Sequence, residues 1–184
     1  MDYQMLWTFI MNNCHVIVLV WFAVYFTVKI LLAEKYMGLF LLPSGIVYFA
    51  IFLFLTLFGR QSYPMMQYEL SFLWEYRLAF AGHREYIWQI LDNMLLFVPM
   101  GILYGELRKI GRPKRHKEDY ECGRTGWIGV FLTGALASLT VELLQLVFRR
   151  GLFEFDDILN NAVGMAAGYT LYKLTERIKR RIWR

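Results

Sequence analysis

The chain has 184 residues, 58% of them hydrophobic and 18% aromatic, with a formal net charge of +5. Soluble domains hold about 45–50% apolar residues, so this composition excludes an ordinary soluble fold, and the length suits one domain of several membrane spans. The basic residues cluster beside apolar runs, which makes them topology signals and excludes a nucleic-acid partner.

Five apolar runs satisfy the roughly 20 residues that a crossing needs: residues 6–32, 39–58, 87–107, 127–148 and 158–174. The first carries Asn12, Asn13 and His15 near its start and is long enough to tilt or to begin at the interface. His15 has no acidic neighbour in sequence and reads as a lone interfacial histidine. The Met-Asp-Tyr-Gln ahead of this run lacks the basic start of a secretory signal, so no cleavable leader is expected. Pro43 stands at the entry to the second run and Pro99 inside the third. Cys14 in an apolar run and Cys122 in a charged loop do not predict a disulfide.

Between the second and third runs, residues 59–86 form a loop rich in Tyr, Trp, Phe and Leu, with Glu69, Glu75 and Arg77 interleaved. Such a segment suits the headgroup level, as an aromatic belt or an amphipathic or re-entrant piece; a lid with Arg77 toward an anion is the sharper reading. Residues 108–126 form a basic loop and residues 175–184 a basic tail. Both belong on the cytoplasmic side, and the even number of spans between them agrees. Lys29 and Lys35 fall on the same side. The expected fold is therefore an all-α polytopic membrane helical bundle, a single domain over residues 1–184. It has five spans, or four if the first run does not cross, with the N-terminus outside and the C-terminus inside.

The chemistry sits on the last three runs. Glu142, Gln145 and Arg149 share one helix face, and Asp157, Asn161, Gly164 and Gly168 form a stripe on the next helix. Asn93 precedes Pro99, Gly101 and Gly105 on the third run. Gly101-x-x-x-Gly105 and Gly164-x-x-x-Gly168 are small-residue pairs that let helix backbones approach. Acids and amides inside spans are functional by default. Asn93, Glu142, Gln145, Arg150, Asp157 and Asn161 are the candidate ligand-binding residues, expected to converge on a pocket opening to the cell exterior. Plainer roles stand beside this one. Asp156 or Asp157 can cap the fifth helix, Glu142 can pair with Arg149 or Arg150, Asn93 and Asn161 can be interhelical glue, and the cluster as a whole can simply lock the fold. No metal or other cofactor is expected; if a metal were held, Glu142, Glu154 and Asp157 would be the oxygen ligands, suiting Mg2+ or Ca2+.

Two segments resemble the VanZ-like membrane proteins. Asn93-Met-Leu-Leu-Phe-Val-Pro-Met-Gly101 is similar to their N-x-L-x-F-x-P-x-G segment. The stretch from Glu142 to Gly168 resembles their E-x-x-Q, R-G-x-F-[DE]-x-x-D and N-x-x-G-x-x-x-G signature, through Glu142, Gln145, Arg150, Gly151, Phe153, Glu154, Asp157, Asn161, Gly164 and Gly168. Glu154 stands where many relatives carry Asp, and Arg149 is an extra arginine. The resemblance implies a multi-pass protein of the bacterial cytoplasmic membrane. The family's namesake is associated with low-level resistance to teicoplanin and related lipoglycopeptides, separately from the enzymes that remodel the stem peptide. It names no reaction.

The expected partners are membrane lipids, together with an envelope lipid precursor or a lipoglycopeptide; oligomeric state is left open. The expected function is binding, or accessory transport, of such a headgroup at the outer leaflet. Arg150 would grip phosphate or carboxylate, and the amides would take sugar or peptide groups. The alternative is a membrane-embedded enzyme acting on a phosphate- or sugar-bearing lipid, with Glu142 and Asp157 as acid–base pair or metal ligands. No Ser–His–Asp set, Cys–His pair or HExxH motif supports it.

Overall fold

The computed structural model describes residues 14–31, 36–110 and 124–183. Asn12, Asn13, Lys35, Cys122 and most of the basic loop lie outside the described residues, as do the side chains of Cys14 and His15.

The described residues form six helices: α1 (Cys14–Leu31), α2 (Met37–Leu53), α3 (Trp74–Phe80), α4 (Arg84–Ile110), α5 (Arg124–Phe148) and α6 (Phe155–Ile182). A π-helical turn at Phe54–Phe58 prolongs α2. Two residue pairs, β1 (Tyr68–Glu69) and β2 (Phe153–Glu154), meet in parallel. Three helical stretches are long and apolar enough to cross a membrane: Met37–Phe58, Arg84–Ile110 and Gly126–Phe148. The apolar part of α1 is shorter, Val18–Leu31. α6 falls short of the same criterion because Asn160, Asn161, Lys173 and several Gly, Tyr and Thr residues dilute its apolar middle, between Asp156 and Asp157 at one end and Lys179, Arg180 and Arg181 at the other.

α6 is nonetheless the axis of the bundle. Its buried stripe runs through Asp157, Asn161, Gly164, Gly168, Tyr172 and Thr175, a heptad-like spacing that keeps one seam turned toward α4. The glycines set the depth of that seam. A Cβ on Gly164 would overlap Met94 O, one on Gly168 would overlap Val98 O, and one on Gly101 would overlap Met165 O. On Gly105 it would meet the Tyr172 ring. Pro99 lies buried at the middle of this interface. Nearby, Tyr48 of α2 donates its hydroxyl to Leu96 O. α2 completes this side with Phe52, whose ring meets Phe97 edge-on at 5.4 Å.

The end of the bundle nearer the C-terminal tail is closed by charges. Lys29 of α1 is fully buried, 2.7 Å from Glu106 Oε1 and 2.6 Å from Glu176 Oε1. Tyr25 OH donates to Glu106 at 2.7 Å, and Lys109 binds Glu176 at 2.9 Å. Lys29 is thus a structural tie between α1, α4 and α6, beyond its expected service as a topology signal.

Candidate functional site

The other end is where the two long connections meet. The segment after α2 runs back over the α5–α6 turn: Tyr63 N donates to Arg149 O, Gly151 N to Gln61 O and Phe153 N to Gln67 O, at 2.9–3.0 Å. Arg149 and Gly151 both have positive φ, 54° and 84°, which lets the α5–α6 link reverse within a few residues. The chain then rises through Leu73, itself left-handed at φ 58°, into α3, and turns again just beyond it at Gly82, φ 101°. α3 lies as a roof across the bundle end. Asp156 holds it there: its Oδ1 accepts Leu73 N at 2.6 Å and its Oδ2 accepts Glu75 N at 3.0 Å. Asn160 adds a second tie, accepting Tyr76 OH and donating to Glu75 Oε2.

At the roof lies a polar cluster drawn from five segments. Asn93 Nδ2 of α4 donates to Asp157 Oδ1 of α6. Glu142 of α5 accepts Glu154 N at 3.1 Å and shares a hydrogen bond with Asp157. Asn161 Nδ2 donates to Ser138 Oγ at 2.8 Å. Glu75 from the roof and Glu154 from the connection bring carboxylates to within 4.8 Å of Asp157, each through one oxygen. Glu75, Glu142, Glu154 and Asp157 are all at most 1% exposed, and Asn93 is 8%.

Asn93, Glu142, Asp157 and Asn161 therefore come together, on the three helices named from sequence. Gln145 and Arg150 take up other work. Gln145 Nε2 donates to Thr56 O at 2.8 Å and Arg150 Nη1 to Phe58 O at 2.8 Å. Both carbonyls belong to the last turn of the α2 extension, where no intrahelical donor remains. Arg149 Nη1 reaches Pro64 O at 3.1 Å. Among the described residues, then, neither arginine pairs with Glu142, because the reversing turn points both away from it. Nor does either aspartate cap its own helix. The N-cap of α6 is Glu154, with no side-chain capping bond, and Asp156 caps the roof instead. The pocket expected to open outward is closed by α3.

Three participants carried no local signal in the sequence. Glu75 and Asn160 enter through the roof contact. Arg60, packed on Gly151, is a cation whose field reaches Glu75, Glu142, Glu154 and Asp157. The oxygen trio differs as well: Glu75 stands with Glu154 and Asp157 where Glu142 was expected. Burial, then the Asp157 and Asp156 charges, pushes the Glu75 carboxyl up to about 7, against Asn160 and Arg60. Burial, then Asp157 and Glu75, pushes Glu154 up to about 8.

The comparisons with known proteins agree with the sequence signature. A model of the VanZ/LLP1 family matches residues 14–176. The chain is similar to Protein VanZ of Enterococcus faecium, 27% identical over 89 residues, which is 48% of this chain and 47% of that protein. The match thus spans about half the length of the curated relative. No solved structure matches.

Proposed function

Since the chain belongs to the VanZ/LLP1 family, we propose that it is a multi-pass protein of the bacterial cytoplasmic membrane that binds the polar head of an envelope lipid or lipoglycopeptide and supports teicoplanin-type resistance. The observation that carries this reading is the buried acid–amide cluster, built by α4, α5 and α6 and roofed by a seven-residue helix between two positive-φ residues. Burying this many carboxyl groups with no ion-paired cation among the described residues is costly for a merely structural core. The Lys/Arg asymmetry supports reading the roofed end as the outer one.

Headgroup entry requires the roof to lift about Leu73 and Gly82. Met65, Met66, Phe72 and Phe80 are exposed around it, which suits contact with lipid at the interface. Among the described residues Arg150 uses one of its five donors, to Phe58 O, and is partly exposed at the rim, as is Arg60, whose Nε is buried. Together they offer two cationic forks for phosphate or carboxylate.

The test is the teicoplanin inhibitory concentration of a susceptible host expressing the chain. Arg60→Ala and Asp157→Asn should return it to the vector level while immunoblots show normal amounts in membranes. Full protection by both variants would sink the reading.

The Glu142–Asp157 hydrogen bond, which needs one proton between two carboxyls, favours the enzymatic alternative as an acid–base pair. Turnover of a phosphate- or sugar-bearing lipid by purified protein, lost in Glu142→Gln, would select it.

A further inference from the structure

We propose that Glu75, Glu154 and Asp157 form a divalent-cation site of the Ca2+ class at the junction between the roof helix and the bundle. The three side chains come from α3, the α5–α6 connection and α6, and a carboxylate oxygen of each lies within 4.8 Å of the others. They are 0%, 1% and 1% exposed, so the grouping is not a solvated acidic surface.

A second observation points to an occupant. Glu75 Oε1 is buried without a hydrogen-bond partner, and Glu154 Oε1, also buried, makes no bond of good geometry, with the Trp74 indole N–H beside that carboxylate. Native structures rarely leave buried acceptors so, and each one calls for an explanation. The other oxygens are held in place: Asn160 Nδ2 binds Glu75 Oε2, and Asn93 Nδ2 binds Asp157 Oδ1. Amide support behind carboxylates is the arrangement that orients metal ligands. Two neutral oxygens, Gln145 Oε1 and Asn161 Oδ1, are also buried and unpartnered, about one turn along from Glu142 and Asp157. Arg60 acts on these acids through space but makes no ion pair with them among the described residues.

The donor set selects the ion. All the donors are hard oxygens, with no thiolate or imidazole, which disfavours Zn2+ and Cu2+. Oxygens spread over as much as 4.8 Å suit Ca2+, whose opposite ligands lie about that far apart at roughly 2.4 Å each. Mg2+, at about 2.1 Å, would need the carboxylates drawn inward. An ion here would link Glu75 of the roof to Glu154 and Asp157 beneath it, and so staple the roof shut. The inference does not depend on headgroup binding, because it is read without any amphiphile; a null result here leaves the resistance assay standing, and the reverse holds.

The experiment uses the full chain in mild detergent, stripped with EDTA and titrated with CaCl2 or MgCl2 while its melting temperature is followed. Tb3+ serves as a luminescent stand-in, excited through Trp74, which lies beside Glu154. Ca2+ should raise the melting temperature saturably, with Mg2+ weaker, and should displace Tb3+ emission. Glu75→Gln and Glu154→Gln should each weaken the apparent affinity about tenfold or more. Glu85→Gln, on the exposed His83–Glu85 pair, should not. Trp74→Phe should abolish the sensitised emission and keep the Ca2+ shift, a readout that survives if a carboxylate variant fails to accumulate. A wild-type protein indifferent to both cations would leave water as the occupant and overturn the proposal. So would a Ca2+ response retained in Glu75→Gln and Glu154→Gln, or Tb3+ emission persisting in Trp74→Phe.

Discussion

Asp156 and Asp157 are adjacent and chemically identical, yet they face different neighbours. Asp156 spends both oxygens on backbone N–H groups of the roof, and Asp157 turns into the cluster toward Asn93 and Glu142. Asp156→Ala removes two acceptors at once and leaves two amides at the start of α3 without partners. A bond to a charged acceptor contributes about 1.5–3 kcal/mol, so the roof should loosen while the bundle holds. Hydrogen exchange should accelerate across residues 73–80 and stay slow in α4 and α6; uniform protection would contradict this assignment.

The raised carboxyls give a second prediction. Folded values of about 7 for Glu75 and about 8 for Glu154 exceed the ordinary 4.5, so the fold favours the protonated forms. The stability they contribute is full below the ordinary value and is lost as pH rises through about 7 and 8. The melting temperature of EDTA-treated protein should fall between about pH 5 and about pH 9, less steeply in Glu154→Gln. Equal slopes would refute the attribution. Much of this chemistry was legible from spacing: Glu142, Asp157 and Asn161 lie close along the chain, and Asn93 sits in its own motif. Glu75 and Arg60 were not, because each reaches the cluster from a loop some eighty or more residues away, and nothing local marks a long-range contact. Which way the Arg150 guanidinium turns was not legible either, because charge alone does not say so; the open Phe58 carbonyl at the end of the α2 extension takes one of its donors.

At the scale of elements, α4 and α6 touch backbone to backbone. Four glycines mark the contact, and in lipid such close packing supplies association that a hydrophobic driving force cannot. Gly168→Ala should lower the melting temperature in detergent, because its Cβ meets Val98 O and not a yielding side chain. Forcing extra volume into such a seam costs typically about 1–3 kcal/mol. Gly129 in α5 has open space around it, so Gly129→Ala should be neutral or stabilising by up to about 1 kcal/mol through helix propensity. Equal effects at the two sites would show that the seam is not the cause. Hydropathy alone located α2, α4 and α5, and glycine spacing marked the partners. The π-helical turn escaped the sequence reading, since Phe54–Phe58 is as apolar as an ordinary helix end. The segment that forms the roof helix reads as an aromatic belt or as an amphipathic or re-entrant piece, with a lid as the sharper reading, and its sequence alone does not choose among them.

Across the whole molecule, the two ends are polar and the middle is not. Asp157 and Glu176 lie nineteen residues apart on α6, about 28 Å at 1.5 Å per residue. A bilayer's hydrocarbon core is about 30 Å thick. Each carboxylate is met by its own cluster, Asn93 and Glu142 at one end and Lys29 and Lys109 at the other. A helix whose polar residues are confined to its ends and satisfied by neighbours can cross without a uniformly apolar sequence, as discontinuous polar sites in membrane bundles require protein around them. This is the case for reading α6 as a span although its composition falls short of one. It predicts that the roof and the basic tail lie on opposite faces. In a background with Cys14 and Cys122 replaced by Ser, Phe80→Cys should react with an impermeant maleimide in intact cells, since Phe80 is 91% exposed on the roof. Arg180→Cys, exposed near the end of α6, should react only after permeabilisation. Labelling of both from one side would mean that α6 does not cross, and the reverse pattern would turn the roofed cluster toward the cytoplasm, away from any ligand of the outer leaflet.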